Sequence, residues 1–331
     1  MAGYDRRDIL KLGLGSAILA AMPRIAEAAP LVRVDDPELA SVIDPTARAR
    51  TIFEGGKWCE GTCYVPALAG LVFSDVKSNR LWLVKDDGSR EPYRDPSNNS
   101  NGNVLDAEGR LVTCEHRTRR VVRQEKDGTL TTLAETFEGK RLNSPNDAVL
   151  APDGAIWFTD PTYGITQPAE GILAEPEQTA RRVYRIDPSG RLEAKSDAFD
   201  QPNGIGFSPD GRVLYVSETG GGANPEGARG IHAFDVSAEG NLSGKRIFAA
   251  YDSGVPDGLA VDVEGRVYAA SGDGVRIYGS DGRMLGRIAT AKTVGNLAFG
   301  GPDGRRLFIA ATDVIQVIDM KVAGVEWLGR K

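Results

Sequence analysis

Six oxygen-bearing side chains recur at one place in a repeated unit of this sequence. Counting eight residues back from the turn glycines Gly109, Gly154, Gly211, Gly265 and Gly304 gives Asn101, Asn146, Asn203, Asp257 and Asn296. An earlier unit with a longer hairpin offers Glu60 at the equivalent place. Amide and carboxylate oxygens are the donors of a hard divalent cation, and the carboxylates Glu60 and Asp257 would balance its charge. Asn and Asp also favour turns and strand starts, so each residue alone reads as a turn former; the shared register of six points to a site. Composition narrows the chemistry further. Two histidines in 331 residues exclude a multi-histidine centre and leave thin material for a Ser-His-Asp triad. There is no Gly-x-Ser-x-Gly elbow to carry a nucleophile.

Those residues must be positioned by the elements that follow them. Short apolar strands ending in a small or acidic residue recur six times: Leu71–Asp75, Leu111–Glu115, Ile156–Asp160, Leu214–Glu218, Val267–Ser271 and Leu307–Ala311. Most follow an Asp-Gly or Glu-Gly turn, where glycine supplies the positive φ of a tight hairpin. A third strand follows each, and a polar outer strand follows five of them. Six units of four strands predict an all-β, six-bladed β-propeller with antiparallel blades. The sixth outer strand is missing from the C-terminus, so Arg48–Phe53 is expected to supply it and close the ring. A sandwich or barrel would not need such regular blade-sized spacing. Innermost strands of a propeller line its channel, so the six oxygen-bearing residues are expected to meet at one mouth. Pro37–Ile43 is the one short helix expected.

The first residues read as an address. Arg6-Arg7 is followed by Leu12–Met22, an apolar run of 11 residues, too short for a stable span, and by Ala26-Glu27-Ala28. This predicts a twin-arginine export signal over residues 1–28, recognised by the twin-arginine machinery, and a periplasmic propeller over 29–331. No other stretch is long enough for a membrane helix. The formal charge of −6 argues against a nucleic-acid partner.

The chain resembles the senescence marker protein, gluconolactonase and luciferin-regenerating enzyme family. The resemblance runs from about residue 50 to the C-terminus. It is carried by Glu60-Gly61, Phe73-Ser74-Asp75, Leu142-Asn143-Ser144-Pro145-Asn146-Asp147, Trp157–Pro161, Pro202-Asn203-Gly204, Ser208–Gly211 and Pro256-Asp257-Gly258. Thr113-Cys114-Glu115-His116 and Asn143–Asp147 look closest to bacterial gluconolactonases. The resemblance implies a six-bladed propeller with a divalent cation at the channel mouth, usually Ca2+, with Zn2+, Mn2+ or Mg2+ as alternatives. It implies Glu60, Asn203 and Asp257 as metal ligands. Asn146 falls at the family's substrate-contacting asparagine, within reach of the metal, and Asp257 at its proposed general base. The expected reaction is metal-assisted opening of a sugar lactone to the aldonic acid. The family usually follows Glu-Gly with Pro and then Trp; here those positions are Thr62 and Tyr64, so the pocket wall is expected to differ.

Further residues fall near the same mouth. Asn101, His116, Glu115 and Tyr163 are candidate substrate contacts. His116 also reads as a satisfied structural histidine, Glu115 as an acceptor for local backbone and Tyr163 as packing. Asp147 reads as a turn residue, and Lys140 and Arg141 as solvated rim charge. Cys59 and Cys63 flank Glu60, but strand alternation limits a bridge between them. Residues 166–180 form a Pro/Glu-rich insertion able to lid the pocket and set substrate size. Other hydrolases of lactones, aryl esters or phosphotriesters on this scaffold remain alternatives, as do a non-enzymatic binding propeller and a strictosidine-synthase-like enzyme.

Overall fold

Hairpin after hairpin, the six units pair into six antiparallel sheets set in a ring, a six-bladed β-propeller. The computed structural model describes residues 31–327. The export reading of residues 1–28 therefore lies outside the described residues. Blades 1 to 6 are numbered by their innermost strands: Cys59–Val65, Ser100–Leu105, Ala148–Leu150, Pro202–Phe207, Pro256–Val261 and Val294–Gly300. Each meets the second strand of its unit across the expected turn, as Leu105 faces Leu111 and Phe207 faces Leu214.

The ring closes as the repeat count requires. Arg50–Glu54 is the outer strand of blade 6, antiparallel to Val314–Asp319, with Phe53 opposite Ile315. An element not expected from the sequence precedes it. Val32–Val34 adds a fifth strand to blade 5, pairing Val32 with Ile288. The expected helix is shorter than Pro37–Ile43: it covers Leu39–Val42. Asp36 Oδ1 accepts the Glu38 N–H at 2.8 Å and makes the preceding residues a turn. Leu39, Val42 and Ile43 are fully buried against Leu285, Ile288 and Ile318, so the N-terminal segment joins the last two blades.

The blades are held by apolar layers between neighbouring sheets. Trp157 of blade 3 packs edge-on to Phe207 of blade 4, with ring centroids 5.6 Å apart. Tyr268 of blade 5 meets Phe299 of blade 6 in the same way at 5.0 Å. Phe53 of blade 6 meets Phe73 of blade 1 at 4.9 Å, so the closing strand shares a core with the first blade. Each fully buried aromatic contributes about 1.5–3 kcal/mol of burial. This rigid ring carries the channel mouth. Among the described residues no helix is long and apolar enough to cross a membrane.

Candidate active site

The mouth is built by a repeated irregularity. In five blades the innermost strand slips register beside its oxygen-bearing residue: between Glu60 and Cys63, Ser100 and Asn103, Pro202 and Ile205, Pro256 and Leu259, and Val294 and Asn296. Such a bulge bends a strand and re-aims a side chain. In blade 3 the strand begins later, at Ala148, and Asn146 is fixed instead by its N–H to the Thr159 carbonyl at 2.8 Å.

Close approach of neighbouring blades completes the ring. Gly61 sits at φ +53°, and a Cβ there would lie 1.8 Å from the Asn101 carbonyl oxygen. Gly102, Gly204 and Gly258 make the same approach to Asn146, Asp257 and Asn296 of the next blades. Hydroxyls one strand out hold these backbones. Ser74 Oγ donates to the Asn101 carbonyl at 2.6 Å, Thr159 Oγ1 to Asn203 at 2.7 Å and Ser217 Oγ to Asp257 at 2.7 Å. The acid after each hydroxyl secures the loop leading into its own blade. Asp75 accepts the Lys57 and Trp58 N–H groups, Asp160 that of Asn143, and Glu218 those of Asp200 and Gln201.

Glu60, buried, and Asp257, partly buried, therefore share an acidic mouth. Burial raises the Glu60 carboxyl well above its ordinary range, and the charges of Asp257, Asp147 and Glu170 add to this. Asp257 is pushed up to about 8 by burial, then by Asp147 and Glu170; a hydrogen bond with the Asn203 side chain works against the shift. Among the described residues, no three His, Cys, Asp or Glu side chains are grouped to hold a metal ion. The two carboxylates need amide oxygens to complete a shell, and Asn203 and Asn146 stand in the same ring. Two crowded carboxylates with amides around them fit a hard divalent cation, which would relieve their mutual repulsion.

Asn101 joins this ring, 5 % exposed, with its amide 3.4 Å from His116 Nε2. His116 is fully buried beside Gly164, and burial lowers its pKa to about 4, so it stands neutral behind Asn101. Tyr163 walls the mouth between blades 3 and 4. Its hydroxyl bonds Thr219, and burial raises its pKa, with the Asp257 charge adding to the effect. Glu115 is placed differently from the expected substrate contact. Its carboxylate accepts from Arg120 Nε at 2.8 Å and Asn98 Nδ2 at 3.2 Å, pairs with Arg94 at 3.3 Å, and has no exposure. It ties the strand end of blade 2 to its neighbours. Cys59 and Cys63 are buried thiols, not joined by a disulfide. Thr62, in place of the family's proline, donates N–H and Oγ1–H to Asn296 Oδ1 at 3.2 and 3.0 Å. Tyr64 stacks on Phe308 and donates to Asp86 at 2.6 Å, away from the mouth.

Two acids at the mouth went unrecognised in the sequence. Asp147 is no mere turn residue: it is 7 % exposed, raised to about 7 by burial, and its Oδ2 lies 3.4 Å from Asn296 Nδ2. Its signal was a break in pattern, since Asn146-Asp147 stands where blades 1, 2, 4 and 5 carry Glu-Gly, Asn-Gly, Asn-Gly and Asp-Gly. Glu170 comes from the insertion, where no period marks it. Further along the strands the channel opens into a cavity of about 600 Å³. Thr62, Asn103, Asp147 and Asn296 form its polar end, and Leu105, Phe207 and Trp327 part of its apolar wall.

Residues 58–313 match the family described as SMP-30/Gluconolactonase/LRE-like region. A gluconolactonase of Zymomonas mobilis subsp. mobilis is 29 % identical over 87 % of this chain and 85 % of its own. The solved structure of a gluconolactonase from Xanthomonas campestris is 39 % identical. It covers 88 % of this chain and 95 % of its own, with a TM-score of 0.82. A calcium-binding protein from Agrobacterium tumefaciens, regucalcin, shares the fold at 21 % identity and a TM-score of 0.68, over 84 % of this chain and 95 % of its own.

Proposed function

This chain belongs to the SMP-30/Gluconolactonase/LRE-like family, and we propose that it is a lactonase that opens a sugar lactone to the aldonic acid with a divalent cation. The carrying observation is the pair of carboxylates, Glu60 buried and Asp257 partly buried, whose protonation is favoured by desolvation and by neighbouring acids in a ring of asparagines. A scaffold used only for binding has no need of such a costly pair. The high coverage of a gluconolactonase relative and of a solved gluconolactonase structure supports the reaction class.

Glu60, Asp257, Asn203 and Asn146 would hold the cation through four oxygens, a donor set for Ca2+, Mg2+ or Mn2+, and the likeness to a calcium-binding protein favours Ca2+. The bound cation would polarise the lactone carbonyl and offset the charge that develops on its oxygen. A lactone is an ester locked in the s-cis form, with its carbonyl exposed to attack. Asp257 in its carboxylate form takes a proton from the attacking water as the new C–O bond forms at the carbonyl carbon. When the ring C–O bond breaks, the same carboxyl returns that proton to the departing ring oxygen, leaving a hydroxyl and a new carboxylic acid. Asn146 and Asn101 present amide groups to the ring substituents, and Tyr163 walls the site against water.

The test is gluconolactone hydrolysis in excess chelator, followed by add-back of calcium, zinc, manganese or magnesium. Chelation is expected to cost about 10²-fold or more, with calcium restoring activity. Full activity in chelator would remove the cation from the mechanism. Parallel assays on a homoserine lactone and on paraoxon identify a lactone or phosphotriester preference on the same ligand set.

Residues 1–28 are proposed to direct twin-arginine export to the periplasm, on the order Arg6-Arg7, short apolar run, small-x-small site. Arg6→Lys with Arg7→Lys is expected to leave lactonase activity in the cytoplasmic fraction. Unchanged periplasmic activity overturns this reading.

A further inference from the structure

The insertion after the second strand of blade 3 runs along the rim of the mouth, over blade 2 to blade 1, rather than looping away from it. It doubles back tightly, because a Cβ on Gly171 would lie 2.1 Å from the Gly164 carbonyl oxygen. Ala174 N–H donates to the Ile165 carbonyl at 3.1 Å and sets the return. Its far end is pinned by Gln178 Nε2, which donates to the Phe137, Lys140 and Arg141 carbonyls, and by the Arg119–Glu177 pair at 3.3 Å. Just before the first of these anchors, Glu170 reaches Lys77 on the strand connection of blade 1, with Nζ 3.6 Å from its carboxylate. Lys77 itself lies over the Trp58 ring, 4.5 Å from the centroid. A side chain of blade 3 thus meets one of blade 1 above His116 of blade 2. Glu170 is only 7 % exposed although it sits on an inserted segment, while Ile172 and Leu173 beside it are 50 % and 58 % exposed. Its charge is felt by both Glu60 and Asp257.

We propose that Glu170 determines specificity, accepting hydroxyl hydrogens of a polyhydroxylated lactone whose carbonyl lies between Glu60 and Asp257. The proposal rests on the lactonase reading of the same site. A carboxylate offers acceptors only, and neighbouring sugar hydroxyls supply matching donors. Lys77 anchors the carboxylate from blade 1. A lactone without hydroxyls would leave this buried acceptor without its substrate donors, and sites built for a hydroxyl reject analogues lacking it. Glu60 and Asp257, which flank the carbonyl, serve both kinds of lactone alike, and Asn146 and Asn101 are unchanged in the variants.

The experiment compares kcat and KM for gluconolactone and for δ-valerolactone in the calcium-loaded protein, its Glu170→Gln variant and its Lys77→Met variant. Glu170→Gln is expected to lower the ratio of kcat/KM for gluconolactone over that for valerolactone by about fivefold or more, mainly through KM for gluconolactone. A smaller fall, or an equal loss on both substrates, overturns the proposal. Lys77→Met keeps the carboxylate and releases its anchor, so the ratio should fall in the same direction. If Glu170→Gln does not fold, Lys77→Met decides: a fall supports the proposal and an unchanged ratio overturns it. Wild-type protein that opens neither lactone fails the lactonase reading itself, a result distinct from an active wild type whose ratio ignores Glu170.

Discussion

Asp257→Asn is expected to lower kcat for gluconolactone by about 10³-fold or more while leaving the propeller folded. The loss is large because Asp257 is assigned two tasks: it accepts a proton from the attacking water, and it supplies one of two charges that would hold the cation. Asparagine keeps the volume and can keep an oxygen toward the cation, but it cannot carry the proton. The fold should survive because Asp257 is fixed through its main chain. Its carbonyl accepts from Ser217 Oγ at 2.7 Å, and Gly204 packs against it, whichever side chain is present. Calorimetry with calcium separates the tasks: a variant that binds calcium yet does not turn over has lost the base. The pH profile gives a second reading. Without a cation Asp257 is pushed up to about 8, chiefly by burial. A bound cation favours the carboxylate and draws that value down, so activity should fall as pH drops through the lowered value. Adding calcium to partly loaded enzyme should move this acidic limb to lower pH. Wild-type turnover by Asp257→Asn would take Asp257 out of the mechanism.

Five of the six mouth residues were legible because a propeller turns equal sequence position into equal spatial position. Counting back from Gly109, Gly154, Gly211 and Gly265 is a structural operation once the blades repeat. In blade 6, where Phe299 faces Leu307 as Phe207 faces Leu214 in blade 4, the longer turn shifts the count by one, so Gly295 stands at the mouth and Asn296 one step deeper at the cavity's polar end. The closing strand was legible for the same reason: five outer strands for six units left one place unfilled, and Arg50–Glu54 fills it. Val32–Val34 was not, because a fifth strand on blade 5 answers no vacancy in the repeat; it follows from docking the Leu39–Val42 helix against the last two blades. The register slips were also hidden. A bulge changes which face a side chain occupies without changing composition, and its trace is the glycine after Glu60, Asn101, Asn203 and Asp257. The strand-end pairs Ser74-Asp75, Thr159-Asp160 and Ser217-Glu218 were visible as a repeat, but their division of labour needed coordinates. The hydroxyl holds the next blade and the acid holds its own. Glu115 stands at such an end, but there it ties side chains, Arg94, Arg120 and Asn98, in a buried network. Glu170 had no repeat behind it; only the path of the insertion across two blades brings it to the mouth.

Glu60→Gln is expected to abolish the calcium dependence of lactone hydrolysis and, in chelator at pH 8, to melt higher than wild type. The two results together distinguish a metal ligand from an ordinary buried acceptor. Without a cation, Glu60 is packed against Gly295 and shares the mouth with Asp257, Asp147 and Glu170. The Lys77 ammonium nearby already pairs with Glu170. Burial raises the folded-state values of Glu60, Asp257 and Asp147, the last two to about 8 and about 7, and like charges add to the rise at Glu60 and Asp257. A carboxyl raised on folding binds more protons in the native state than in the unfolded chain. Its contribution is therefore fully present below the unfolded value near 4 and is lost as pH climbs through the folded value. Chelated wild type should thus lose stability between about pH 4 and pH 8. The substituted glutamine side chain would remove one member of the repelling set while keeping its volume and an oxygen for the Gly61 N–H, which now donates to Glu60 Oε2 at 3.3 Å. The relief at pH 8 is roughly 2 kcal/mol, a few degrees of melting temperature, and it should vanish toward pH 4. Calcium reverses the order. At about 100 times its dissociation constant it adds about 2.7 kcal/mol to a protein that binds it, and little to the variant. The two melting curves should therefore cross between chelator and calcium. A variant less stable than wild type in both conditions would make Glu60 a structural acceptor, because only repulsion relieved by a cation makes loss of the charge favourable without metal and unfavourable with it.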